Sequence, residues 1–93
     1  MTRFFNKRDA VDYAANKDGF LKALVIELDK SFFRGWKNHV EELAGTRGFN
    51  CAFTKICKEF DLDIVLDYYD RLTWNESDDF DELVLQRIKY IEV

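Results

Sequence analysis

The chain contains no proline and only four glycines among its 93 residues. These two residue types most often end or interrupt regular structure, and turn-rich β folds need many of them. Their scarcity therefore favours a small number of helices. Apolar residues make up 47% of the chain, and fifteen residues are aromatic, nine of them Phe. This is enough apolar material for one compact core, so we expect a single helical domain spanning residues 1–93.

Cysteine and long apolar runs are also scarce. Cys51 and Cys57 are the only cysteines, and on one helix they would point about 240° apart, so they could not pair with each other. The longest apolar run, Ala23–Ile26, is far too short to cross a membrane, and the N-terminal residues lack the apolar core of a signal peptide. We therefore expect a soluble cytoplasmic protein with free thiols and no membrane partner.

Patterns that carry catalysis are missing as well. His39 is the only histidine, and a continuous second helix would place it on the apolar stripe beside Trp36 and Val40. The chain has no Gly-x-Ser-x-Gly, His-Glu-x-x-His or glycine-rich phosphate loop. The acidic run Asn75–Glu82 lacks the glycine and the regular spacing of a calcium loop. We expect a protein that is not an enzyme, with no cofactor, no catalytic residue and no metal ligand.

Apolar residues recur at spacings of three and four, which predicts an all-α domain of four to five short amphipathic helices. The first helix is expected at Lys7–Asn16 and the second from Phe20 onwards. Arg87–Tyr90 alternates in polarity, so a short C-terminal strand is an alternative to helix there. Asn6 is expected to cap the first helix and Asn50 the third. Asp61 or Asp63 is expected to cap the fourth helix, and Ser77 the last.

The second helix carries one difficulty. Its apolar stripe runs on to Leu43, where Gly45 and Gly48 are expected to end it, but Asp29 falls at the edge of that stripe. An unpaired carboxylate in a core is costly. Either the helix breaks near Asp29–Ser31 or Asp29 is half-buried beside a partner, and we favour a break.

Charge is distributed unevenly along the chain. Residues 1–58 contain eleven Lys/Arg and seven Asp/Glu, a formal +4, whereas residues 59–93 contain three Lys/Arg and eleven Asp/Glu, a formal −8. The net charge of −4 therefore describes a dipolar molecule. Such an asymmetry bears on partners and association rates more than on fold.

The acidic residues of the last third form a candidate binding site. Asp63, Asp67 and Asp70 follow helical spacing opposite the apolar stripe, where like charges one turn apart cost about 0.2–0.5 kcal/mol per pair. The plainer interpretation is a solvated helix face. The functional one is a contact surface for a basic partner protein, with Tyr68 and Trp74 as aromatic anchors. The predicted partner-binding residues are Asp63, Asp67, Asp70, Trp74, Glu76, Asp78, Asp79, Asp81 and Glu82.

The small size, the acidity, the many aromatic residues and the missing catalytic patterns are typical of a small inhibitor of the immunity-protein, antitoxin or phage counter-defence type. Four helical residues rise about 6 Å, close to two steps of about 3.4 Å along a nucleic-acid strand, so the partner's blocked site could be one that binds nucleic acid. A weaker hypothesis is direct nucleic-acid binding by a basic patch of Lys30, Arg34, Lys37 and Arg47, the first three on one helix side. A third is a homo-oligomer in which the basic segment of one copy meets the acidic segment of another.

Overall fold

The computed structural model describes residues 4–92 and is all-helical there, with five α-helices and one 3₁₀ helix. The α-helices are α1 (Lys7–Ala15), α2 (Phe20–Ser31), α3 (Arg47–Glu59), α4 (Asp63–Asp70) and α5 (Trp74–Ile88), and the 3₁₀ helix is Trp36–Glu42. The predicted all-α class is confirmed. The expected number of four to five helices is slightly low, because the 3₁₀ helix adds a further helical element within residues 4–92. The alternative of a C-terminal strand is wrong, since α5 continues to Ile88.

The first two helices begin where the sequence predicts. Asn6 caps α1 by accepting a hydrogen bond from the backbone N–H of Asp9 at 2.9 Å. The second helix breaks after Ser31, as favoured, and the side chain of Asp29 then accepts a hydrogen bond from Trp36 Nε1 at 2.7 Å. Gly35, with a φ of +90°, turns the chain into the 3₁₀ helix. His39 is consequently exposed beside Glu42, away from the apolar stripe on which an unbroken second helix would have placed it.

The expected caps of the last three helices are wrong. Thr46 caps α3 in place of Asn50, and Gly48 lies inside α3, where the Phe32 ring leaves no room for a Cβ. Helix α4 begins after Leu62 without a side-chain cap, so neither Asp61 nor Asp63 has that role. Helix α5 begins one turn before Ser77, because Thr73 and Glu76 form a reciprocal capping box.

Aromatic side chains fill the centre of the core. The Phe53 ring on α3 lies against Phe20 of α2, Tyr69 of α4 and Phe80 of α5, with ring centroids 5.1–6.0 Å apart. Edge-to-face contacts of this kind add to the large apolar area that each ring buries. Cys57 is buried in the same core and Cys51 is exposed, as their spacing predicts. Burial raises the pKa of the Cys57 thiol to about 12.

None of the helices within residues 4–92 combines the length and the apolar character that a membrane crossing requires.

The capping box makes a testable prediction about where α5 begins. Thr73→Ala removes the hydroxyl that accepts from the backbone N–H of Glu76 and should lower the free energy of unfolding by about 1 kcal/mol. Thr73→Ser keeps a capping hydroxyl and should retain most of the stability. Urea unfolding followed by circular dichroism measures both variants. Equal stability of Thr73→Ala and wild type would show that α5 does not depend on this cap.

Candidate functional site

A cleft of about 380 Å³ opens where the loop before α3, the end of α4 and the start of α5 meet. We call it the polar cleft. The residues that give it its chemistry are Arg47, Asn50, Tyr69, Asp70, Trp74, Asp78 and Asp81.

The innermost group of the polar cleft is the carboxylate of Asp81. This residue is 1% exposed and is the only buried charged residue within residues 4–92. Its Oδ2 accepts a hydrogen bond from the backbone N–H of Gly45 at 2.8 Å, and its Oδ1 accepts one from the Tyr69 hydroxyl at 2.7 Å. Asn50 Nδ2 donates to the same hydroxyl at 3.1 Å. A chain of hydrogen bonds therefore joins the loop before α3 to α3, α4 and α5.

The electrostatics of this network follow from its burial. Burial raises the pKa of Asp81 to about 6, although the hydrogen bonds from Gly45 and Tyr69 act in the opposite direction. The charge of Asp78 raises it further. Burial likewise raises the pKa of the Tyr69 hydroxyl, so this group remains a hydrogen-bond donor to Asp81 at physiological pH. A carboxyl with a raised pKa also occurs in catalytic acids, but here both oxygens are engaged with the protein.

The expectation that Asp81 belongs to an exposed acidic surface is wrong. On α5 it precedes Val84, Leu85 and Ile88 by three, four and seven residues, which places it on the buried side of the helix. That spacing was visible in the sequence and would have identified Asp81 as a core residue. The partners that make its burial tolerable, the Gly45 amide and the Tyr69 hydroxyl, come from distant parts of the chain and had no signal in the local sequence.

Three other predicted site residues already have structural contacts. Glu76 Oε1 accepts from the backbone N–H of Thr73 at 3.0 Å, and this hydrogen bond lowers the Glu76 pKa. Asp79 lies 3.7 Å from Lys7 Nζ on α1. Asp78 is half-buried against Gly45, whose φ of +79° and close approach to the Asp78 carboxylate leave no space for a side chain. Glu76 thus fixes the start of α5 and Asp78 is partly covered, whereas the Asp79 side chain remains 64% exposed.

The remaining predicted residues are exposed. Asp63, Asp67 and Asp70 lie along the outer side of α4, and no Lys, Arg or His nitrogen from residues 4–92 lies within 4.0 Å of their carboxylates. Glu82 on α5 is exposed in the same way. We call Asp63, Asp67 and Asp70 the acidic ridge. Asp70 also lines the polar cleft, so the ridge and the cleft are continuous.

The two proposed aromatic anchors differ. Trp74 is 83% exposed at the rim of the polar cleft, although it is one of the largest apolar side chains. Tyr68 is half-buried, with its ring edge-on to Phe4 at a centroid distance of 5.7 Å and tilted against Phe80. Tyr68 is therefore part of the packing, and the expectation of an exposed Tyr68 is wrong. Trp74 alone keeps the geometry of an anchor.

Lys30, Arg34 and Lys37 of the predicted basic patch do not share one helix side. Lys30 lies on α2, Arg34 in the following loop, and Lys37 on the 3₁₀ helix, because the chain turns at Gly35. Arg47, the first residue of α3, lines the polar cleft. Arg34 and Lys37 instead line a different groove, together with Lys89 and Tyr90, and no pattern in the sequence connects these two pairs.

No group of three or more His, Cys, Asp or Glu side chains in the described part of the chain has the geometry to hold a metal ion.

The buried carboxyl makes a prediction about pH. The folded-state pKa of Asp81 is raised, so folding favours the protonated carboxyl. The contribution of Asp81 to the free energy of unfolding is therefore complete below the unfolded-state pKa of 3.8 and is lost as the pH rises through about 6. Asp81→Asn removes this dependence. The stability of wild type relative to Asp81→Asn should therefore fall between pH 4 and pH 6, by an amount on the order of 2 kcal/mol.

Urea unfolding at several pH values measures this difference. Asp67→Asn, which removes an exposed carboxylate of α4, controls for the loss of one negative charge. A difference between wild type and Asp81→Asn that stays constant across this range would contradict the assignment of a raised pKa to Asp81.

No protein-family model, curated protein or solved structure matches this chain.

Proposed function

We propose that this protein binds a basic surface of a partner protein through the acidic ridge and the polar cleft, and that binding blocks that surface. The observation that carries the proposal is the position of Trp74 beside Asp70. A largely exposed indole adjoins a row of aspartates whose carboxylates lie more than 4.0 Å from every Lys, Arg and His nitrogen of residues 4–92. Charged rows and exposed aromatic rings each occur on ordinary surfaces, but their continuity is typical of a binding site.

The acidic ridge costs stability in the free protein. Asp63 and Asp67 are one turn apart, as are Asp67 and Asp70, and like charges at this spacing destabilise a helix by about 0.2–0.5 kcal/mol per pair. Asp is also a poorer helix former than Glu. A basic partner surface would remove this repulsion on binding. The ridge would thus contribute to the association rate and to orientation.

The polar cleft offers a place for a cationic side chain. A guanidinium or ammonium group of the partner that enters it would meet the carboxylates of Asp70 and Asp78. The Trp74 ring at the rim supplies a face for a cation–π contact. Both oxygens of Asp81 already accept hydrogen bonds, from Gly45 and Tyr69, so its role is to hold the cleft in shape. In this proposal the ridge attracts the partner and Trp74 supplies the desolvated contact.

The spacing of the acidic ridge favours a partner that binds nucleic acid. Asp63 and Asp67 are separated by about 6 Å along the helix axis, which is similar to two phosphate steps of a nucleic-acid strand. A groove that accepts phosphates could accept these carboxylates instead. Inhibition by imitation of nucleic acid would follow, and the protein would act without a cofactor and without catalysis.

The first test of this function removes the charge of the acidic ridge. Protein captured from the native host by the immobilised wild type is identified by mass spectrometry, purified and used for kinetics. The Asp63→Asn, Asp67→Asn, Asp70→Asn triple variant should associate with that partner at least about tenfold more slowly at low salt, because electrostatic steering is lost. Its association rate should also depend less on salt.

A matched control changes the net charge equally at other exposed sites: Asp18→Asn, Glu41→Gln and Glu59→Gln. This control should associate as the wild type does. Equal rates for all three proteins would contradict the proposal. If the partner binds nucleic acid, its complex with wild type should no longer do so, and retention of that activity would exclude a blocking role.

The second test removes the aromatic anchor. Trp74→Ala should weaken the complex by about 2 kcal/mol, mainly through faster dissociation, because aromatic anchors at the centre of an interface contribute most of the affinity. The side chain is exposed, so the fold should retain its stability. Surface plasmon resonance gives both rate constants, and Phe5→Ala, another exposed aromatic residue, serves as the control. An unchanged dissociation rate would place Trp74 outside the interface.

A further inference from the structure

A second groove lies at the opposite end of α5 from the polar cleft. It has a volume of about 800 Å³ and forms where the loop after α2 and the 3₁₀ helix meet the residues that follow α5. We call it the basic groove. Its aromatic and cationic residues are Phe33, Arg34, Trp36, Lys37, Lys89 and Tyr90.

Two contacts hold the walls of the basic groove in place. The buried Trp36 donates its Nε1 proton to Asp29 Oδ1 at 2.7 Å, which fixes the 3₁₀ helix against the end of α2. Lys37 Nζ donates to the backbone carbonyl of Ile91, which ties the same helix to the residues after α5. Lys89 and Tyr90 are thereby held across from Phe33 and Arg34. The groove is thus part of the fold, with walls from three segments.

The groove combines exposed aromatic rings with cations. Phe33 is 51% exposed and Tyr90 is 77% exposed. Lys89 Nζ lies 5.6 Å from the centre of the Tyr90 ring, and Lys37 Nζ lies 5.9 Å from the centre of the Trp36 ring. With Arg34, three cations line the groove, against the single carboxylate of Asp29, for a formal charge of +2.

The acidic residues around the polar cleft do not cancel this charge. Helix α5 has 15 residues and is about 22 Å long, with Trp74 at its first position and Lys89 just beyond its last. At physiological ionic strength, charges more than about 8 Å apart in water are largely screened from each other. The basic groove and the polar cleft are therefore electrostatically separate, and an anion can approach one while a cation approaches the other.

We propose that the basic groove binds single-stranded nucleic acid, with bases stacked on Phe33 and Tyr90 and phosphates contacting Arg34, Lys37 and Lys89. Interleaved aromatic rings and cations are the elements that proteins use for single strands, because every base has a face that stacks. Paired bases do not offer those faces, so a duplex would use only the cations. This activity goes beyond the proposed function and uses none of its residues.

Filter binding at low salt tests the proposal with a labelled oligothymidylate of about twelve nucleotides, a length within the range of small single-strand sites. Wild type should retain it and should bind a duplex of equal length more weakly. The logarithm of the binding constant should fall with the logarithm of salt concentration with a slope of about −2, since three cations each contribute about 0.7.

Variants assign this binding to the groove. Tyr90→Ala and Phe33→Ala should each weaken binding by about fivefold or more, as expected for the loss of one stacked base. The double variant Arg34→Ala, Lys89→Ala should reduce the salt slope to about −0.7. Lys37 is left unchanged because it also holds the carbonyl of Ile91. The controls Phe5→Ala and Lys58→Ala replace exposed residues outside the groove and should bind as wild type does.

Three outcomes would overturn the proposal. Wild type that does not retain the oligonucleotide at low salt excludes it, as do control variants that weaken binding as much as Tyr90→Ala. The third is occupation of the groove by the acidic ridge of a second copy. Light scattering would then show a dimer at low salt that dissociates in the Arg34→Ala, Lys89→Ala variant and in the ridge triple variant alike. None of these outcomes depends on a partner protein, so the proposed function is tested separately.

Discussion

The Tyr69 side chain connects the apolar core of this protein to Asp81, the one carboxylate that is buried within residues 4–92. Its ring lies 5.1 Å from Phe53 and 5.0 Å from Phe80, between centroids, while its hydroxyl accepts from Asn50 and donates to Asp81. An unpaired buried carboxylate would be costly. Because Tyr69 belongs to both networks, the packing of α3, α4 and α5 and the shape of the polar cleft depend on the same residue.

This arrangement explains how a small fold supports the candidate site. The core fixes α4 through Val65, Leu66 and Tyr69, which leaves the opposite side of the helix for the aspartates of the acidic ridge. The hydrogen bond from Gly45 to Asp81 brings the loop before α3 against α5 and closes the inner end of the cleft. The outer side of the site is then free to carry charge. The carboxylate of Glu76 near the start of α5 and the cation of Arg87 near its end also interact favourably with the helix dipole.

The sequence predicts the helical class and the first two helices, because local signals determine them. Asn6 followed by Asp9 predicts the start of α1, and Asp29 at the edge of the apolar stripe predicts the end of α2. Both predictions need no knowledge of the tertiary structure. Residue type alone does not predict the caps of the last three helices, because several residues that suit a cap lie close together and the local backbone selects among them. Thr73 and Glu76 show the spacing of a capping box, which is a stronger signal for the start of α5 than Ser77 alone.

The candidate site was predictable only in part. Helical spacing alone places Asp63, Asp67 and Asp70 on one outer side, and it also places Asp81 among buried neighbours. The partners of Asp81 and the meeting of Arg34 with Lys89 depend on contacts between residues far apart in the chain, which periodicity does not encode.

The two tryptophans lie in contrasting environments, one in each of the surfaces described above. Trp36 is buried at the base of the basic groove, and Trp74 stands in solvent at the rim of the polar cleft. A shielded indole emits at shorter wavelengths than a hydrated one and is protected from dissolved quenchers. The intrinsic tryptophan fluorescence of the chain is therefore the sum of two separable signals. Each surface contains a tryptophan whose fluorescence reports on that surface without any added label.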